Sequence, residues 1–136
     1  MNNPKLTIST VVPDAQRLGF LPQMFGRRAV IGEALVYAWM RRLSEDYQGG
    51  LWNFYTTTNG AMYLAPCYVR GLRISVDGNG FDGKLSADAA GIVATLFALN
   101  QLAHQTDEDQ FIDLYYRLRD FAATHAEAGL IYQAID

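Results

Sequence analysis

The sequence has one cysteine, Cys67, so no internal disulfide forms and stability must come from packing. It has no apolar run of transmembrane length. Its opening residues, MNNPKLTIST, lack the basic and apolar regions of a secretory leader, so a soluble cytoplasmic protein is expected. Charge of one sign is scarce too. Eleven lysines and arginines stand against fourteen acids, a formal net charge of -3. That balance is too mild for a basic nucleic-acid binder, and too mild for a carboxylate-rich imitation of the DNA backbone. Histidine is limited to His104 and His125, which with one cysteine make no zinc site unless carboxylates join them. No repeat, low-complexity tract or linker interrupts the chain.

What is present is apolar and aromatic. Half of the 136 residues are hydrophobic and 12% are aromatic, enough for one domain, residues 1–136, with a real core. The organising stretch is YQGGLWNFYTTTNGAMYLAP, residues 47–66. Residues 51–57 are rich in aromatic and β-branched side chains, and residues 61–65 form a second apolar run. Thr58-Asn59-Gly60 lies between them, and Asn-Gly is a tight-turn signal because both residues tolerate positive φ. Gly49-Gly50 breaks the chain before this hairpin and Pro66 ends it. A lone hairpin is marginal in water, so other elements must cover one face.

Residues 5–12 predict a strand ended by Pro13, and Asp14 is a plausible N-cap for a helical turn through Leu18. The apolar segment 19–26 reads as a loop packed on the core, with an exposed contact loop as the sharper reading. Residues 29–47 predict a helix whose inner face is Ile31, Leu35, Ala38, Trp39 and Leu43. After the hairpin, residues 72–76 alternate as a strand and residues 81–85 form a fourth. Ser86 caps a helix over 87–104, dense in small and apolar residues, where Gly91 allows close approach to the sheet. A further helix starts at Thr106 or Asp107 and runs to His125. A short one follows within 126–135. The pattern is α+β: one small antiparallel sheet of three to four strands packed with about four helices.

The chemistry-bearing patterns are weak. Gly78-Asn79-Gly80-Phe81-Asp82-Gly83 fits G-x-G-x-x-G, but Lys84 and Leu85 separate it from the Ser86 cap and no parallel strand follows. A hairpin turn explains it better than a dinucleotide site. The same stretch fails the calcium-loop pattern, with Phe81 where an oxygen ligand belongs. Cys67 has no motif placing it beside a histidine. Asp107, Glu108 and Asp109 suit a helix start. No catalytic residue, cofactor or metal is expected.

Longer pieces carry a resemblance. They are Arg17-Leu18, Phe20-Leu21-Pro22, Phe25-Gly26, Glu33, the YAWM at 37–40, the YQGGLWNFY at 47–55, Asn59-Gly60, the YLAP at 63–66, Gly78-Asn79-Gly80-Phe81, the LSADAAGI at 85–92 and the ending at 126–136. In this order and length they resemble the antirestriction proteins of the ArdB/KlcA type, carried on plasmids and other mobile elements. The resemblance implies a compact α+β domain, no catalysis, and relief of host type I restriction of incoming DNA. The near-balanced charge favours protein–protein contact over DNA mimicry. The expected partner is the restriction–modification complex or a host factor it needs, reached by a monomer, with no membrane and no direct DNA binding. The contact candidates are Trp52, Asn53, Tyr55 and Tyr63 on the hairpin, Asn79 and Asp82 at the glycine turn, and Asp136 at the end. Core packing is the ordinary role of the aromatics among them. Two alternatives stay open: a DNA-binding face of Arg27, Arg28, Arg41, Arg42, Arg70 and Arg73, and a metal-dependent enzyme using Asp77, Asp82 and Asp88.

Overall fold

The computed structural model describes residues 7–136. Lys5 and Leu6, the start of the expected first strand, lie outside the described residues, as does most of the opening stretch read for a leader. In chain order the elements are β1 (Ser9–Val11), α1 (Arg17–Phe25), α2 (Ala29–Leu43), β2 (Trp52–Thr57), β3 (Met62–Pro66), β4 (Leu72–Val76), β5 (Phe81–Leu85), α3 (Ala87–Thr106), α4 (Asp109–Ala122) and α5 (Ala128–Ile135). Short 3-10 turns at Asp14–Gln16 and Gly26–Arg28 precede α1 and α2. Asp14 is the first residue of its turn, not a side-chain cap; Pro13 holds the cap position.

The architecture is α+β, and the described residues form five strands in two antiparallel sheets, β1-β2-β3 and β4-β5. One sheet was expected. The division falls at Pro66, which has no N–H to donate. The chain turns there, with Tyr68 N bonding back to Pro66 O at 3.0 Å, so β4 opens a second ladder. The first hairpin forms as read. Thr57 N donates to Ala61 O at 3.0 Å and Gly60 N to Thr57 O at 3.1 Å. Its loop holds three residues, and of Asn59 and Gly60 only Gly60 has positive φ, at +83°. This is the geometry of a turn followed by a bulge, not of a two-residue loop. The glycine-rich stretch is the β4–β5 turn, with Val76 opposite Phe81.

Helix α3 is the centre. Its residues from Ala89 to Leu96 are buried on every side, so no single face is polar. Ser86 Oγ accepts from Ala89 N at 3.1 Å and caps it, as expected. It packs on α2, α4, α5 and the fully buried β3. Gly91 lies directly against Leu64 and Ala65 of β3.

Two helical expectations change. Segment 19–26, which reads as a loop packed on the core, is mostly the helix α1. Phe20, Met24 and Phe25 bury themselves at helical spacing, and this packing outweighs the poor propensity of Gly19 and Pro22. Helix α2 ends at Leu43, because Ser44 turns extended, and its buried residues are Gly32, Val36, Met40 and Leu43. Leu35 and Trp39 are half-buried, while Ile31 and Ala38 face out. The helix is turned because Gly32 meets the Phe25 ring, where any side chain would overlap it. Asp107, with φ +57°, separates α3 from α4.

Candidate protein-interaction surface

The seven candidate contact residues do not form one patch. Trp52 is buried between Tyr37 and Tyr47, and its Nε1 donates to Tyr47 Oη at 2.9 Å. Tyr63 is fully buried. Tyr55 is half-buried and stacks on it with ring centroids 4.7 Å apart, and Asn53, beside Tyr55 on β2, is half-buried too. Asn79 is exposed but works as a clasp. Its Oδ1 accepts from Phe81 N at 2.9 Å, and its Nδ2 donates to Ala134 O at 2.9 Å and Gln133 O at 3.3 Å. These are carbonyls of the last turn of α5, which otherwise have no helical donor. Asp82 is exposed and takes both arms of Arg73 at 2.8 Å. That bidentate contact lowers its pKa below the usual carboxylate range. Asp136 lies 3.8 Å from Arg119.

A polar cluster joins β1, β3 and the α4–α5 connection at the start of α3. Ser9 Oγ lies 2.8 Å from Tyr63 Oη, which donates to Asp88 Oδ1 at 2.8 Å. Asp88 Oδ2 meets His125 Nε2 at 2.8 Å, and His125 Nδ1 accepts from Glu127 N at 2.9 Å. Glu127 reaches Ser86 N at 2.8 Å and also bonds Ser86 Oγ. An Asp–His pair suggests a catalytic base, but the backbone fixes the tautomer. Nδ1 is an acceptor already filled, so Nε2 carries the proton and gives it to Asp88. No ring nitrogen is left for a substrate, and the cluster reads as structural.

Burial is the first cause of the raised pKa of Tyr63, followed by its contacts, in which Ser9 acts against Asp88. Burial, then Glu33, raises Tyr37 in the same way. A folded pKa above the unfolded value favours the folded state fully below about pH 10, and that support fades as pH rises towards the folded value. Urea midpoints measured from about pH 9 upward are therefore expected to fall, and less steeply in Tyr63→Phe.

Asp77, Asp82 and Asp88 do not converge, since Asp82 pairs with Arg73 on the sheet while Asp88 faces Tyr63 and His125. Among the described residues no cluster of three or more metal-ligating side chains exists. The arginines are largely occupied. Arg28 bonds Glu108 at 2.5 Å, with Arg27 at 3.6 Å from the same carboxylate. Arg42 lies over Trp39 and Arg41 near Tyr47. Arg70 and Arg73 line a 640 Å³ cleft shared with Glu45 and Asp46. Several carboxylates are likewise bonded within the fold, among them Asp82, Asp88, Glu108, Asp113 and Glu127.

The surface that stands out is apolar. Leu18 on α1 and Val30 at the start of α2 are 94% and 82% exposed, and both line one groove of 350 Å³ between the helices. Leu21 and Pro22 form its wall and Phe54 contributes from the hairpin. Arg17 secures that contact, with its guanidinium 4.2 Å from the Phe54 ring centre and donating to Trp52 O at 2.9 Å. The sequence does not reveal this groove: segment 19–26 reads as a loop, and periodicity sets Ile31 and Ala38 inward along with Leu35, Trp39 and Leu43, of which only the last three pack on the core. The exposed-contact reading of segment 19–26 was its only trace.

A family model described as antirestriction protein matches residues 45–136. An antirestriction protein KlcA of Escherichia coli is 59% identical over 133 residues, 94% of each chain. The chain belongs to the antirestriction family. A second Escherichia coli KlcA is 56% identical, over 98% of this chain and 96% of its own. Among solved structures, one matches with a TM-score of 0.90 and 54% identity over the whole of both chains. It comes from work describing KlcA and ArdB as having a novel fold and antirestriction activity against type I DNA restriction systems in vivo but not in vitro. The α+β fold and the family agree with the resemblance read from the sequence. The matched family segment begins after α2, so of the groove's lining it includes Phe54 but not α1 and α2, which the structural match still covers.

Proposed function

We propose that this protein relieves type I restriction of incoming DNA in its host, acting through protein–protein contact and not as a DNA mimic or an enzyme. The observation that carries the reading is the full-length structural match to a protein whose type I antirestriction activity is seen in vivo but not in vitro. A DNA mimic presents its carboxylates to the purified enzyme and needs nothing else. Dependence on the cell fits a contact that requires a host component. The charge supports this: 14 acids against 11 basic residues, with Asp82, Asp88, Glu108, Asp113 and Glu127 each bonded to a neighbour within the fold. The proposed partner is the restriction–modification complex or a host factor it needs, and the protein meets it in the cytoplasm as a monomer. Trp52 and Tyr63 serve the fold, leaving Asn53, Tyr55, Asn79, Asp82 and Asp136 as accessible contacts.

The test is plating of unmodified phage on isogenic hosts with and without a type I system, each with and without the protein. Recovery of plating of about ten-fold or more only in the restricting host, with progeny still methylated, is the expected result. Loss of methylation along with restriction would instead favour mimicry, since a mimic occupies the DNA site used by both activities.

A further inference from the structure

We propose that the groove between α3 and α4 binds a basic helix of another protein, which sets one apolar side chain between Ile112 and Tyr116 and a lysine or arginine against each of Asp109 and Asp120. This rests on the protein-contact reading and names the surface and the partner's chemistry. The groove is lined by Asn100, Ala103 and His104 of α3 and by Ile112, Tyr115 and Tyr116 of α4. Its volume of 240 Å³ lies below the roughly 300–1,000 Å³ of small-molecule sites and suits a single inserted side chain. Asp109, Ile112, Tyr116 and Asp120 follow one another at spacings of three, four and four residues, so they share one side of α4, and all four are exposed. The stripe reads acid, apolar, apolar, acid over about 16 Å. A helix laid along it meets the stripe with residues of matching spacing.

Charge selects the occupant, because here it has one sign. Residues 85–136 hold eight acids and two bases, with no lysine. Both bases are engaged within the fold. Arg117 meets Asp113 at 2.9 Å, and Arg119 lies 3.8 Å from Asp136 with its guanidinium over the Tyr132 ring. Near the start of α4, Arg27 and Arg28 both turn to Glu108. Among the described residues Asp109 and Asp120 are in no ion pair. The α1–α2 groove differs, since Arg17 and Glu33 both line it and neither sign prevails. A cationic helix gains at both ends of the α4 stripe, whereas a phosphate backbone is repelled along it.

Three bridged helical peptides of about 15 residues serve as probes. The first has lysines at i and i+11 and a leucine at i+4. The second has glutamates in place of the lysines, and the third has serine in place of the leucine. Fluorescence anisotropy with the full chain is expected to show the first binding about ten-fold tighter than either of the others. Its advantage over the glutamate peptide should vanish in the double variant Asp109→Asn, Asp120→Asn and fall by half on a logarithmic scale in Asp120→Asn alone, which leaves the helix start intact. Its advantage over the serine peptide should vanish in Ile112→Ser, Tyr116→Ser. Circular dichroism should be unchanged throughout, because these side chains are exposed. Binding of no peptide to the native chain, or a lysine preference unchanged in Asp120→Asn, would overturn the proposal. So would equal binding of the first and third peptides, since the face would then display bare carboxylates as a mimic of nucleic acid does. A native dimer by light scattering that Asp120→Asn dissolves would also overturn it, since the occupant would then be a second copy. Phage plating separates the two readings. If the native chain fails to restore plating, the antirestriction reading falls while the peptide result stands. If Ile112→Ser, Tyr116→Ser restores plating fully, the groove is not the contact used and the proposal falls.

Discussion

Replacing Gly91 with alanine is expected to destabilise the fold by about 2 kcal/mol, against the usual gain of about 1 kcal/mol from glycine to alanine within a helix. The cause is the approach of α3 to β3. A Cβ at position 91 would lie 2.5 Å from Ala65 Cα and overlap the carbonyl oxygen of Leu64. Those neighbours are backbone atoms in a buried strand, so they do not swing aside as a side-chain tip would. Nor is α3 free to withdraw, because α2, α4 and α5 pack around it. The contact also holds Thr95 in place, whose hydroxyl donates to Leu64 O and accepts from Leu64 N, both at 3.3 Å. Gly129→Ala is the control, since nothing lies within 4 Å of a Cβ there, and it should be neutral or stabilising. Urea midpoints of the two variants decide the matter. Equal stability of Gly91→Ala and the native chain would mean that helix and strand are not in contact.

Asp88→Ala is the second substitution with a large expected effect, also about 2 kcal/mol. It leaves the His125 Nε2–H without an acceptor, although that ring is only 12% exposed, and it removes one partner of the buried Tyr63 hydroxyl. It also deletes the acid in the first turn of α3, where a carboxylate complements the helix dipole. Asp88 itself is 36% exposed, which keeps the loss below that of a fully buried network. Asp88→Asn should cost less, because one amide oxygen still accepts from Tyr63 or His125, but not from both. Nitrogen chemical shifts of the His125 ring test the same geometry. The native ring should show a protonated Nε2, and this pattern should persist in Asp88→Ala, because Glu127 N continues to donate to Nδ1.

The sequence made the hairpin, the β4–β5 pair and the central helix legible because their signals are local. Asn59-Gly60, the alternation of residues 72–76 and the Ser86 cap each act over a few residues, and each occurs as read. The failures have a common cause. Gly19, Pro22 and Gly26 argue locally against a helix, and only burial of Phe20, Met24 and Phe25 overrides them. The rotation of α2 likewise depends on Gly32 receiving the Phe25 ring, a contact that periodicity does not reveal. Both misreadings fall on the two helices that form the groove, so the surface was hidden where tertiary packing overrules propensity. The hairpin aromatics were singled out for the opposite reason. Large side chains suggest recognition, yet Trp52 and Tyr63 are needed to fill the interior.

Edges of β-sheets recruit other chains when they are long and flat. The three-stranded sheet offers little to recruit. Its outer strand, β1, pairs over three residues, Ser9–Val11, and Pro13 follows soon after without an N–H. At the other side β3 is buried along all five residues. Among the described residues, fibril growth by edge-to-edge pairing therefore has almost no template on this sheet. In a chain that is half hydrophobic and carries a formal charge of only -3, electrostatic repulsion is weak, and on this sheet the short and covered edges take its place.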